Sequence, residues 1–164
     1  MNYTLRKFSE SDLKSLIEYA NNYNIAKFLT NQFPHPYGEE DGKNFLVKAI
    51  DSEGIFAIDV DGQAVGSIGL FLQSDIHEKN VELGYWLAEP FWGKGIMTLA
   101  IQELVAYGFE TFDIIRIYAR PFSTNLASQR VLEKAGFVCE ARLKKALFKN
   151  GNYMDEFIYA KFKN

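Results

Sequence analysis

From Leu87 to Thr98 the sequence runs Leu-Ala-Glu-Pro-Phe-Trp-Gly-Lys-Gly-Ile-Met-Thr, a turn carrying two glycines one residue apart. A strand-like alternation precedes it, with Val81, Leu83, Tyr85 and Leu87 on one face and Glu82, Gly84 and Trp86 on the other. Helical spacing follows it, through Met97, Ala100, Ile101, Leu104, Val105 and Gly108. The first amides of a helix lack intrahelical acceptors, and the positive end of the helix dipole lies there. A phosphate or diphosphate can sit on such an end if no side chain blocks its approach, which Gly93 and Gly95 ensure; Lys94 adds a cation. A tight turn that needs glycine only for its backbone freedom is the alternative, and the strand before and helix after favour phosphate binding. A P-loop fits poorly, because it closes on Lys-Ser or Lys-Thr after a longer loop, which Gly-Lys-Gly does not supply. A dinucleotide fold fits poorly: its glycine turn belongs in the first strand–helix unit, with an acidic residue ending the next strand. Here the turn lies past mid-chain and Asp113 precedes its strand.

The elements that must position this turn read as a mixed α/β fold. Tyr3 to Phe8 is a strand, and Ser9 to Asp12 offers caps for a helix with Leu13, Leu16, Ile17 and Ala20 on one face. A loop through Phe33-Pro34-His35-Pro36-Tyr37-Gly38 follows, with room for a short helix before it, and then a helix over residues 39–51. Asp61-Gly62 and Asn150-Gly151 each separate two β-rich runs, the strongest short signal for a hairpin. Ile114 to Ala119 reads as a strand, and Asn125 to Ala135 as a helix closed by Gly136. The sum is about seven strands and about four helices in one domain over residues 1–164.

Composition narrows the function classes. With 164 residues, 48% apolar and 15% aromatic, the chain can bury a core without staples. A net charge of −3 is no footprint for nucleic acid. Neither a secretory signal nor an apolar run long enough to span a membrane is present, so the expectation is a cytoplasmic protein with no membrane partner. One cysteine and two histidines make a poor metal set. Cys139, in Phe137-Val138-Cys139, reads as a small buried apolar residue.

Together, the glycine turn and the block Asn125-Leu126-Ala127-Ser128-Gln129-Arg130-Val131-Leu132-Glu133-Lys134-Ala135-Gly136-Phe137 resemble motifs A and B of the GNAT superfamily of acyl-CoA-dependent N-acetyltransferases. Gly84-Tyr85-Trp86-Leu87 before Trp92-Gly93-Lys94-Gly95, and Asn150-Gly151-Asn152-Tyr153-Met154-Asp155, resemble its RimJ/RimL branch, the ribosomal-protein N-acetyltransferases and their relatives. The resemblance implies the GNAT fold, a mixed and mostly antiparallel twisted sheet. It implies acetyl transfer from acetyl-CoA to a primary amine, on a protein N-terminus or a small molecule, by direct attack in a ternary complex. By the same resemblance, amides from Gly93 through Lys94, Gly95, Ile96 and Met97 to Thr98 hold the CoA diphosphate. Leu87 and Ala88 pair with the pantetheine amides, and Asn125 bonds that arm. Trp92 stands where the superfamily has Gln or Arg, and Met97 replaces a small residue, which is compatible with binding if its side chain turns inward. The Phe-Pro-His-Pro-Tyr loop resembles the branch's substrate side, which makes His35 and Tyr37 acceptor-binding candidates, with Tyr85 of the Gly-Tyr-Trp-Leu segment a third. Homodimers occur among the relatives.

Amide formation from a thioester needs a neutral amine, a polarised carbonyl and a proton for the leaving thiolate. Glu82 is the first candidate for the base, since partial burial on the Trp86 face would raise its pKa; an exposed strand glutamate is the plain alternative. The glutamate suspected as base in RimL-type enzymes corresponds to Leu147 here, and Asp155 and His35 are weaker candidates. Leu132 occupies the place of the superfamily's acidic tyrosine, so the resemblance turns to Ser128, three residues after Asn125, with Tyr153 behind it. These losses leave open a second function, a catalytically silent acyl-CoA-binding sensor or scaffold.

Overall fold

Seven strands and five helices make up the chain in a computed structural model that describes residues 1–164. In chain order they are β1 (Thr4–Arg6), α1 (Leu13–Ala20), α2 (Tyr23–Ala26), α3 (Glu39–Ala49), β2 (Ile55–Val60), β3 (Gln63–Leu72), β4 (Asn80–Leu87), α4 (Ile96–Thr111), β5 (Arg116–Ala119), α5 (Leu126–Lys134), β6 (Val138–Lys149) and β7 (Asn152–Phe162). The strands form one sheet in the order β1-β2-β3-β4-β5-β7-β6. Of the pairings, β4–β5 is parallel, while β1–β2, β2–β3, β5–β7 and β6–β7 are antiparallel. Two compact units divide the chain, Met1–Gly69 with Tyr85–Ile96 and Leu70–Gly84 with Met97–Asn164.

The first unit closes around Phe8, Leu16, Leu46, Ala49, Ile55, Ala57 and Ala64, with Trp86 packed against them. Asp61-Gly62 makes the β2–β3 hairpin with φ of 53° and 82°, the double positive φ that matches strand twist. Arg6 ties the entry of the chain to this hairpin. Its Nε donates to Asp59 at 2.7 Å, and Nη1 and Nη2 donate to Asp12 at 2.9 and 2.7 Å. Asp12 and Asp59 are 4% and 9% exposed, so both carboxylates depend on that one guanidinium. Burial pushes the Asp12 carboxyl up, but Arg6 and the Ser9 amide outweigh it and hold the group below its ordinary value. Stabilisation of this sign is complete above the unfolded-state pKa and disappears as pH falls through the lowered folded-state value. Arg6→Met should therefore cost about 3 kcal/mol in urea unfolding at pH 7. The difference from wild type should shrink as the pH drops below about 4.

The second unit is built on β5, β7 and β6, whose hairpin turns at Asn150-Gly151 with φ of 53° and 77°. Helix α4 buries the expected stripe, Met97, Ala100, Ile101, Leu104 and Val105. At Gly108 a Cβ would meet Leu70 Cδ1 at 2.5 Å, so the absent side chain is what lets helix and strand approach. Helix α5 starts on the Asn125 side chain, which accepts the Ser128 amide at 3.1 Å. It ends with Gly136 N–H on the Glu133 carbonyl and Phe137 N–H on the Leu132 carbonyl, with Gly136 at φ 92°. The loop into α5 is fastened to β7 by Ser123 N–H to the Asp155 carbonyl and by Phe157 N–H to the Pro121 carbonyl.

Two expectations need correction, the start of β5 and the burial of Cys139, while the helix count stands. The helix for which the sequence left room before the Phe33–Gly38 loop is the single turn of α2, capped by Asn22. β5 begins at Arg116, leaving Ile114 buried and Ile115 exposed ahead of it. Cys139 is exposed, because β6 is the outermost strand of the sheet and Val138 and Glu140 beside it are also exposed.

Candidate active site

In the first unit, β4 ends at Leu87 and a single helical turn, Glu89–Phe91, leads to the glycines. Gly93 and Gly95 have φ of 71° and 78°, and a Cβ at either would meet nothing within 4 Å. Glycine is required here by the backbone, and the ribbon it makes is open on the side where a side chain would stand. Ile96 and Met97 are 2% and 8% exposed, so both side chains turn inward, as binding at Met97 requires. Lys94 is exposed, with its Nζ 5.5 Å from the Phe91 ring. Thr98 is half-buried one turn into α4.

Trp92 has a role that its sequence position does not announce. Its indole Nε1 donates to the Leu87 carbonyl at 2.6 Å, bracing the end of β4 against the glycine turn. The Ala88 amide donates to the Val65 carbonyl at 2.8 Å. Two of the main-chain groups expected to meet pantetheine are thus engaged inside the protein, although a carbonyl can accept a second bond. Farther back, Tyr85 is half-buried. His35 is exposed and lies 5.7 Å from the Tyr23 ring. Tyr37 is 5% exposed, 5.3 Å from Phe33, which in turn is 5.8 Å from Trp86. Burial, then the Asp41 charge, pushes the Tyr37 phenol up to about 12. Its amide donates to Asn21, so Tyr37 serves chiefly as a packing residue that sets the loop.

In the second unit, Glu82 is half-buried and stands in register with Tyr118 of β5. The parallel ladder between these strands covers Asn80–Glu82 against Arg116–Tyr118. Burial raises the Glu82 carboxyl above its ordinary value; the Arg120 charge opposes this and the Glu156 charge adds to it. Arg120 donates to Glu156 Oε1 from Nη2 at 2.6 Å and from Nε at 3.1 Å. Neither partner of that ion pair was among the sequence candidates: the two lie 36 residues apart, and no local pattern links them.

The remaining candidates separate clearly. Asp155 accepts the Lys145 amide at 2.9 Å and the Arg142 Nε at 2.7 Å, which hold its carboxyl below the ordinary range and make it a poor base. It pins a three-residue bulge, 144–146, that opens where the β6–β7 register passes from Leu143–Glu156 to Leu147–Met154. Leu132 is fully buried, and Leu147 is half-buried opposite Met154. Tyr153 is 68% exposed and stacks 4.9 Å from Phe148. Ser128 is half-buried in the first turn of α5, its amide on Asn125. No group of three or more His, Cys, Asp or Glu side chains is placed to hold a metal ion, and no helix is long and apolar enough to cross a membrane.

A family model described as the acetyltransferase (GNAT) domain matches residues 2–138. The chain belongs to the GNAT family. Among curated relatives, YdaF of Bacillus subtilis is 35% identical over 103 residues, 63% of this chain and 56% of its own length. The ribosomal-protein-serine acetyltransferase of Escherichia coli is 32% identical over 107 residues, 65% of this chain and 59% of its own. The chain thus spans little more than half the length of these relatives. Among solved structures, RimL, a ribosomal L7/L12 alpha-N-protein acetyltransferase in complex with coenzyme A, superposes with a TM-score of 0.85. Its sequence is 25% identical, and the match covers 99% of this chain and 94% of RimL. The mixed α/β architecture expected from the sequence is the GNAT fold.

Proposed function

We propose that the chain is an acetyl-CoA-dependent N-acetyltransferase acting on a primary amine. One observation carries the reading: a ribbon leading into α4 with two positive-φ glycines, each open where a Cβ would stand, in a GNAT chain. Those residues suit a CoA diphosphate: amides from Gly93 to Thr98 would hold it at the positive end of a 16-residue helix, and Lys94 would add charge. When bound, the coenzyme supplies an activated acetyl thioester.

The chain's own residues then have three tasks. In the first unit, Leu87 and Ala88 would align the pantetheine arm through their main-chain carbonyls, with Trp92 keeping that strand end in place. In the second, Asn125 at the cap of α5 is the residue the family resemblance assigns to the same arm. Glu82 accepts the proton of the attacking ammonium through water, so that a neutral amine meets the thioester. The Ser128 hydroxyl would donate a hydrogen bond to the departing thiolate, which takes its proton from water. We expect Ser128→Ala to slow turnover about tenfold without changing CoA affinity, as read by initial rates and calorimetry. A thiolate is a good leaving group, which keeps the effect modest.

The acceptor is a protein N-terminus or a small-molecule amine. His35 and Tyr85 border it in this reading, and Tyr37 shapes it by fixing the loop. We assign the protein to the cytoplasm, without nucleic-acid or membrane partners, and include a homodimer in the proposal. Thiol release from acetyl-CoA, measured across a serine-initiated peptide, spermidine and other amines, tests the function. Release well above the acceptor-free rate with at least one amine supports it; none across the panel contradicts it.

A further inference from the structure

Glu82 sits in a group of charges, and the arrangement of its neighbours is uneven. Tyr118 of β5 is its register partner, Arg120 lies just past β5, and Glu156 projects from β7. The second guanidinium on this strand, Arg116, is taken up by Asn80 at 2.9 Å and by Glu140, and lies 4.8 Å from the Tyr118 ring. Arg120, two residues beyond the register partner of Glu82, is the cation whose charge Glu82 feels, and it turns two nitrogens onto a single oxygen of Glu156.

We infer that Glu156 is a positioning residue, holding Arg120 away from Glu82 so that the Glu82 carboxylate stays available to accept a proton. The inference rests on Glu82 as the base proposed above. Glu156 is 5% exposed, and a carboxylate so buried needs a counter-charge more than half-buried Glu82 does. The backbone fixes both partners: Glu156 is in register with Leu143 on β6 and bridged to Phe122, two residues beyond Arg120. A guanidinium seated on Glu82 would stabilise its anion and make it a weaker base. Burial and the Glu82 charge raise the Tyr118 phenol, so it is neutral at working pH and does not compete for Arg120.

Carboxyl-labelled glutamate NMR on the whole chain, with Glu82 assigned through Glu82→Gln, reads the titration midpoint without any acceptor. The pH profile of kcat/KM, with acetyl-CoA and whichever of the serine peptide or spermidine turns over, reads the consequence. Glu156→Gln should lower the Glu82 midpoint by about one unit and move the acidic limb of the profile down with it. Arg120→Gln should raise the midpoint less in the wild-type chain than in the Glu156→Gln background, where the guanidinium is released to reach Glu82. A Glu82 midpoint that stays put in Glu156→Gln, or an Arg120→Gln shift equal in both backgrounds, overturns this inference and leaves the proposed activity untouched. Midpoints that move while the limb does not remove Glu82 as the base, and this role for Glu156 goes with it. Should Glu156→Gln not fold, Glu156→Asp, which keeps the charge and shortens the arm, takes its place; equal shifts from Arg120→Gln in that background and in the wild-type chain contradict the inference.

Discussion

Glu82→Gln is expected to lower kcat/KM by a factor of about 10² to 10⁴, with CoA affinity unchanged. Glutamine keeps the shape of the side chain but cannot accept the ammonium proton. The pH dependence carries a further sign. A base works in its deprotonated form, and burial lifts the Glu82 carboxyl above its ordinary value. The wild-type rate should therefore rise with pH through a midpoint above about 4.3, the unperturbed glutamate value. The glutamine variant should lose that limb. Full activity in the variant would show that the amine reaches its neutral form by another route. Tight CoA binding without turnover in the wild type would instead favour a sensor or scaffold.

Gly95→Val is expected to weaken CoA binding by about 10- to 100-fold, measured by calorimetry. A valine at φ 78° is strained, and its side chain would stand over the open side of the ribbon. Gly62→Val separates the two effects. Gly62 has φ 82° and equally open surroundings in the β2–β3 hairpin, so its strain is similar but it lies outside the proposed ribbon. That variant should lose stability and keep its CoA affinity. Equal loss of affinity in both would assign the effect to strain alone.

Local chemistry explains what could be read from the sequence. Both hairpins follow from Asp-Gly and Asn-Gly, whose backbone preferences act within two residues. The α4 stripe and the α5 boundaries follow from helical spacing, an asparagine cap and a C-terminal glycine. The position of a strand in the sheet has no such local signal. Phe137-Val138-Cys139 reads as a buried run, yet β6 lies at the sheet edge, and Phe137 alone of the three is buried. Glu82 was legible as a half-buried residue from alternation, whereas the Arg120–Glu156 pair depends on β5 and β7 lying side by side. Trp92 was legible as a departure from the family pattern; its bond to the Leu87 carbonyl required coordinates.

The most direct measurement is a CoA titration followed through backbone amide resonances of the uniformly ¹⁵N-labelled protein. Saturable shifts of Gly93, Lys94, Gly95, Ile96 and Met97, with the Trp92 indole N–H among the resonances that respond, are the predicted result. CoA binding that leaves those amides unmoved, or no binding at millimolar coenzyme, would contradict it.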